Sequence, residues 1–313
     1  MNGFGWAEAW ARGYRFVTVR PFENAVLLIG LALLLPLAVQ YAVIGGMAEP
    51  QGTGALIGLA VNYVLQSCAL FAVLRLGLDE RETFGGALGY GLVASLVAAG
   101  TVAVLVSVAL MIGSLGGPPG AMPFVILAVL VPFAVALATY STLIAATIGT
   151  GLVLALATTM ILGATTGNVG LAATLAGGGS GLMVVLLLLL SAALVWAAAR
   201  LTCTAAHMAD HRSLNVIAAL RASWALTSEE QGRITLYLAI VSLGFVLVLA
   251  ALLAAAGGSI FALQDVMTPT AAGASAMVLG FVAAIPLSYL TVLVPVGIYL
   301  RLAGERAPVE VFA

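Results

Sequence analysis

Between Glu82 and Arg200 the chain carries no Asp, Glu, Lys, Arg or His. Soluble domains cover their surfaces with charge, at about a quarter of all residues. An uncharged interior stretch of this length belongs in hydrocarbon instead. The rest of the chain agrees: 63% of its 313 residues are hydrophobic and only 7% are charged. The expected fold is all-α, a polytopic transmembrane helical bundle forming a single integral membrane domain over 1–313.

Eight apolar stretches approach the roughly 20 residues that cross a bilayer: 25–44, 55–74, 90–112, 122–143, 149–166, 181–200, 234–256 and 276–300. About two dozen residues precede the first, so a cleavable signal peptide is not expected. Spans one to three occupy 25–112, and residues 122–166 read as an extra hydrophobic hairpin. The C-terminal spans follow over 181–313. If 122–166 are re-entrant the count is six, because parity allows one or three crossings between span three and Arg200.

The eleven basic residues are all arginines, and their placement gives a direction. Arg12, Arg15 and Arg20 precede span one; Arg75 and Arg81 follow span two. Arg200, Arg212, Arg221 and Arg233 lie between spans six and seven, and Arg301 and Arg306 follow the last. The alternate connections hold only Glu49 and Asp265. Arginine-bearing connections stay cytoplasmic, so both ends of 1–313 are expected there, in a bacterial inner (cytoplasmic) membrane. Trp6, Trp10, Trp196 and Trp224 map to the same side, where an indole is favoured at the interface.

Two segments read as cytoplasmic interfacial amphipathic helices. In 4–20, Trp6, Trp10, Tyr14 and Val17 recur on one face, with Glu8, Arg12 and Arg15 opposite. In 213–227, Leu214, Ile217, Leu220 and Trp224 form the apolar stripe, with Arg212 on the other side and Arg221 flanking. Trp6, Trp10, Arg12, Arg15, Arg212, Arg221 and Trp224 are thus the candidate lipid or partner interface. The chain also echoes itself. Arg75-Leu76, Asp79-Glu80-Arg81 and Thr83 correspond to Arg200-Leu201, Asp210-His211-Arg212 and Ser213, and Arg301-Leu302 repeats the opening pair. Either duplication or convergence on one interfacial design accounts for this.

The stretch Asp210 to Thr227, reading DHRSLNVIAALRASWALT, resembles the cytoplasmic segment of the bacterial glycerophosphoryl diester phosphodiesterase membrane-domain family and is similar to that of YciC-like inner-membrane proteins. The resemblance covers this motif and its flanking spans. It implies membrane architecture without the catalytic barrel, which needs about 250 residues of its own. Family members often continue Thr-Arg-Gly, whereas Thr227 here is followed by Ser228-Glu229-Glu230.

Several chemistries are disfavoured. Without lysine there is no Walker-A loop, Schiff base or Ser–Lys dyad. A net charge of −1 offers no surface for nucleic acid. Cys68 lies within a span and Cys203 on the reducing side, so no disulfide is expected. Cys203, His207, Asp210 and His211 form one candidate metal site, provided the span-six helix continues unbroken so that i, i+4 and i+8 share a face. Asn62 and Gln66, one turn apart, either line a substrate path or pack helices together. Pro286 and Pro295 would break the last span if it served a transporter-like site.

No catalytic constellation and no cofactor are expected. The leading expectation is a non-catalytic scaffold, assembly or accessory component. Its partners would be membrane lipids, and another membrane protein or a second copy of itself. The alternative is a transporter or exporter component for a small apolar or lipid-like solute.

Overall fold

A computed structural model describes residues 4–44, 53–114, 142–143, 146–148, 150–151, 180–262 and 269–306. Among them the secondary structure is helical, with no strand. That is the outcome expected where lipid offers the backbone no hydrogen bonds and each helix must satisfy its own. Numbered over the described residues, the elements are α1 (Trp6–Val19), α2 (Pro21–Ala25), a π-helical segment (Val26–Leu34), α3 (Leu35–Ile44), α4 (Thr53–Leu78), α5 (Phe84–Ser114), α6 (Ser180–Leu201), α7 (Thr204–Asp210), α8 (Val216–Leu226), α9 (Gln231–Ala262) and α10 (Pro269–Arg306).

Among the described residues, five helices are long and apolar enough to cross a membrane: Pro21–Val39, Ala60–Leu78, Phe84–Val108, Gln231–Val248 and Gly280–Gly304. They correspond to expected spans one, two, three, seven and eight. Most of the 122–166 hairpin lies outside the described residues. Large apolar side chains such as Leu92, Leu96, Val104, Leu247, Val248 and Val282 are exposed on the outer faces of these helices. Water would not tolerate so much apolar surface; acyl chains would. The protein is a polytopic helical membrane protein.

The core lies at one end. Residues 67–76 of α4 are buried without interruption, and so are 292–299 of α10. Phe71, Leu74, Met208, Leu238 and Ile298 fill the space around them. The tight hairpin of α4 and α5 depends on small residues: a Cβ at Gly91 would run into the Cys68 carbonyl and Ala72, with Ala87, Ala94 and Ala98 fully buried beside it. Small residues bring backbones close, which is how helices associate where lipid is as apolar as leucine.

α1 departs from the expectation of a helix merely lying on a surface, because it docks lengthwise on α10. Its buried side is Ala9, Gly13, Phe16 and Val17. A Cβ at Gly13 would collide with the Leu293 carbonyl, and one at Gly297 with the Ala9 carbonyl. Trp6, Trp10 and Tyr14 point away and stay exposed. A second difference concerns α10, which runs unbroken for 38 residues through Pro286 and Pro295. Neighbouring helices let a transmembrane helix absorb proline without breaking.

Two substitutions separate close packing from simple loss of glycine. Gly13→Leu forces α1 off α10 and is expected to cost about 1–3 kcal/mol of stability, as overpacking does. Gly30→Ala, where nothing lies within 4 Å of the added Cβ, should be neutral. Thermal unfolding in detergent compares them, and equal effects would show that the contact is unimportant.

Candidate functional site at the arginine end of the bundle

Arg75 lies in the last turn of α4, and its guanidinium is buried although it sits near the end of a span. Such a charge needs full compensation. It receives that from three directions. Nε donates to Glu82 Oε2 at 2.8 Å, Nη2 to Asp79 Oδ2 at 2.5 Å, and Nη1 to the Ala209 carbonyl at 3.0 Å and the Asp210 carbonyl at 3.3 Å. Glu82 is equally buried and also pairs with Arg212. The Arg75 hydrogen bond holds the Glu82 carboxyl below the usual carboxylate range; burial pushes the other way, and Arg212 adds to the lowering.

The loop that presents Glu82 is built locally. Asp79 Oδ1 accepts from the Arg81 N–H at 3.0 Å, and Thr83 Oγ1 caps α5 by accepting from the Gly86 N–H at 3.1 Å. Arg20, just ahead of span one, donates to the Glu80 and Glu82 carbonyls at 2.8 and 3.0 Å.

The far side of the pair is the short helix α7. A helix leaves its last four carbonyls without intrahelical partners, and here each of the four is met. The His207 carbonyl takes the His211 N–H, and the Met208 carbonyl takes the Ser213 N–H and the Tyr90 hydroxyl at 2.7 Å. Arg75 takes the remaining two. The chain then turns through Arg212 at φ 49°, the left-handed position that usually falls to glycine in this Ser213-to-Met208 closure. An L-residue there costs about 1–2 kcal/mol. Its ion pair with Glu82 accompanies that strain.

The echo noted in the sequence has a physical counterpart. Arg200, closing α6, donates from Nη1 to the Trp224 carbonyl at 3.1 Å near the end of α8, as Arg75 does at the end of α7. Ser223 and Thr227 from the 210–227 motif complete this dock. Ser223 Oγ donates to the Arg200 carbonyl at 2.8 Å and accepts from the Cys203 N–H at 3.2 Å, while Thr227 Oγ1 donates to the Ser223 carbonyl at 3.0 Å. Arg301 is also buried; its Nε meets Glu8 Oε2 at 2.8 Å, and Arg12 bridges Glu8 (2.5 Å) and the Leu300 carbonyl (2.6 Å). Through these contacts the arginine-bearing connections gather at one end of the bundle.

The four candidate metal ligands lie on one short stretch, with His211 Nδ1 3.9 Å from Asp210 Oδ2, without converging on one point. α6 stops at Leu201 and a turn at Thr202–Cys203 separates it from α7, so the span-six helix does not run on. Cys203 instead caps the start of α7, where its carbonyl accepts the His207 N–H at 2.9 Å and the His207 carbonyl accepts the His211 N–H at 3.2 Å. Cys203 is fully buried, and burial pushes its thiol up to about 12. His207 and His211 stack with ring centroids 4.2 Å apart. Asp210 Oδ2 accepts from the Tyr299 hydroxyl at 2.5 Å. Among the described residues no three such side chains are placed to hold one ion. Burial, and to a lesser degree the neighbouring His211, lowers the His207 pKa. Asn62 and Gln66 satisfy each other, Nε2 to Oδ1, at 2.8 Å.

Of the candidate interface residues, Arg12 and Arg212 serve the internal network. Trp10 and Trp224 are 41% and 42% exposed, and Arg15 and Arg221 are exposed as well. Sequence reading missed Glu82, Glu8, Tyr90 and Tyr299. Only the oddity of a carboxylate bordering the charge-free block pointed to Glu82. No family model, no curated protein and no solved structure matches the chain.

Because its folded pKa is depressed, Glu82 adds stability above the unfolded value of about 4.3. That stability is lost as pH falls through the lower folded value. Glu82→Gln should cost about 3 kcal/mol at neutral pH by leaving buried Arg75 under-compensated, and should flatten the acid limb. Unfolding in detergent followed from neutral to acid pH checks both; an unchanged acid limb would contradict the assignment.

Proposed function

We propose that this is a non-catalytic scaffold, assembly or accessory protein of a bacterial inner (cytoplasmic) membrane. The carrying observation is how the polar groups of the arginine end are employed. Arg75, Glu82, Arg212, Arg12, Glu8 and Arg301 hold helices to one another. Tyr90 and Tyr299 cap or brace α7. A site committed to internal bonding makes a rigid platform rather than a reaction centre, whose groups need reach toward a substrate.

Around that platform the aromatic and apolar residues Trp6, Trp10, Tyr14, Ile217 and Trp224 face outward, the arrangement that suits headgroup depth. In this reading α1 and α8 are interfacial helices on the cytoplasmic side, both ends of 1–313 are cytoplasmic, and α6 with 122–166 supplies the further spans toward eight. The likeness of 210–227 to the phosphodiesterase membrane-domain and YciC-like proteins fits, since Ser223, Trp224 and Thr227 form the joint between α6 and α8. The transporter reading has less support: α10 is continuous through its prolines, and Asn62 and Gln66 bond to each other.

Cysteines introduced singly at Glu80 and Ser228, both exposed, should react with an impermeant maleimide only after the membrane is opened. Labelling in intact cells would invert the topology. Native mass spectrometry after mild extraction should find a second polypeptide, a second copy or retained lipid. A bare monomer with substrate-dependent turnover would contradict the scaffold reading.

A further inference from the structure

Several arginines are matched by carboxylates. Arg12 and Arg301 share Glu8, Arg75 has Glu82 and Asp79, Arg212 has Glu82, and Arg233 has Glu230. Arg200 differs. Nη1 donates to the Trp224 carbonyl, and Nε is covered without a hydrogen bond among the described residues. Instead of an anion it has two indoles. Its guanidinium carbon lies 4.5 Å from the Trp224 ring centroid and 5.8 Å from that of Trp196, and the rings meet edge to face at 5.3 Å.

The position of this cage matters. Arg200 ends α6, immediately after the charge-free block, where hydrocarbon gives way to headgroups. Trp196 and Trp224 are 41% and 42% exposed, so the cage opens on the flank of the bundle rather than into its core. With Nε covered and Nη1 on the Trp224 carbonyl, Nη2 is left to donate to phosphate oxygens. The indoles provide an apolar wall and sit where tryptophan prefers to lie. A cation set against two such rings, with no carboxylate partner among the described residues, lacks one component.

We propose that Trp196, Arg200 and Trp224 form a binding site for the phosphate headgroup of an anionic phospholipid in the leaflet at the arginine end. The proposal rests on the membrane placement given above. Bound lipid neutralises Arg200 and covers the joint between α6 and α8, coupling the platform to the composition of its leaflet.

The test uses the full chain carrying Trp6→Phe and Trp10→Phe, which leaves Trp196 and Trp224 as the only tryptophans. It is reconstituted in phosphatidylcholine vesicles containing brominated phosphatidylglycerol or, at the same mole fraction, brominated phosphatidylcholine. Tryptophan quenching should favour the anionic lipid about fivefold in relative affinity, the worth of one interfacial arginine. Arg200→Gln should bring the ratio to about one, and Arg81→Gln, which removes a charge outside the cage, should leave it intact. Equal quenching by both lipids overturns the site. So does a preference that survives Arg200→Gln, or one that Arg81→Gln removes, since that would be a diffuse surface field. If Arg200→Gln fails to fold, the parent ratio and the Arg81→Gln control still decide. Loss of the preference in excess inorganic phosphate would assign the cage to the free anion and overturn the lipid assignment. Quenching by neither lipid would instead overturn the membrane placement itself.

Discussion

A guanidinium and a carboxylate buried against each other, Arg75 and Glu82, anchor this end of the molecule. Removing two ions from water is costly, by several kcal/mol each, and Coulomb attraction offsets this only when the remaining hydrogen-bonding capacity is also met. Here it is met by groups that needed partners for their own reasons. The last carbonyls of α7 have no helical donors, Asp79 sits one turn from Arg75, and Arg212 lies in a left-handed turn. The pair therefore joins the end of α4, the start of α5, the end of α7 and the turn into α8. Arg20 then ties the first span to the same loop.

This arrangement explains why so many charges concentrate at one end of a chain that otherwise avoids them. Between the spans α4 and α5, cohesion comes from close backbone approach at Gly91, and Gly13 and Gly297 do the same for α1 and α10. At the arginine end the helices leave lipid, and directional bonds become affordable. The buried surfaces of α4 and α10 reach their greatest continuity there, over 67–76 and 292–299. A rigid, inward-bonded end with outward-facing aromatics suits a part that other molecules lean on.

Much of this was legible in the sequence, for a physical reason. Charge placement in a membrane protein is governed by one dominant energy, so the five described spans and the clustering of arginine connections could be read from spacing alone. The echo between Arg75-Leu76 and Arg200-Leu201 also pointed at something real, since both arginines cap the end of a short helix. Other features turn on three-dimensional register that periodicity does not carry. The bundle-facing side of α1 includes Ala9 and Gly13 beside Phe16 and Val17, and the two small residues are ones that no hydrophobic stripe would reveal. The turn at Thr202–Cys203, which separates α6 from α7, falls in a run of helix-compatible residues and places the Cys203 N–H against Ser223 of α8. Glu82 reads locally as one acid among several, and its burial is imposed by partners up to 130 positions away.

The most direct test of the central claim is a double-mutant cycle on Arg75→Met and Glu82→Leu, with unfolding followed by denaturant titration in mixed micelles. If the two groups compensate each other in a buried site, each single change exposes the other charge. The double variant should then be less destabilised than the sum of the singles, by about 1.5–3 kcal/mol. Additivity to within about 0.5 kcal/mol would mean that the two side chains act independently, and the pair would not be what holds this end of the bundle together.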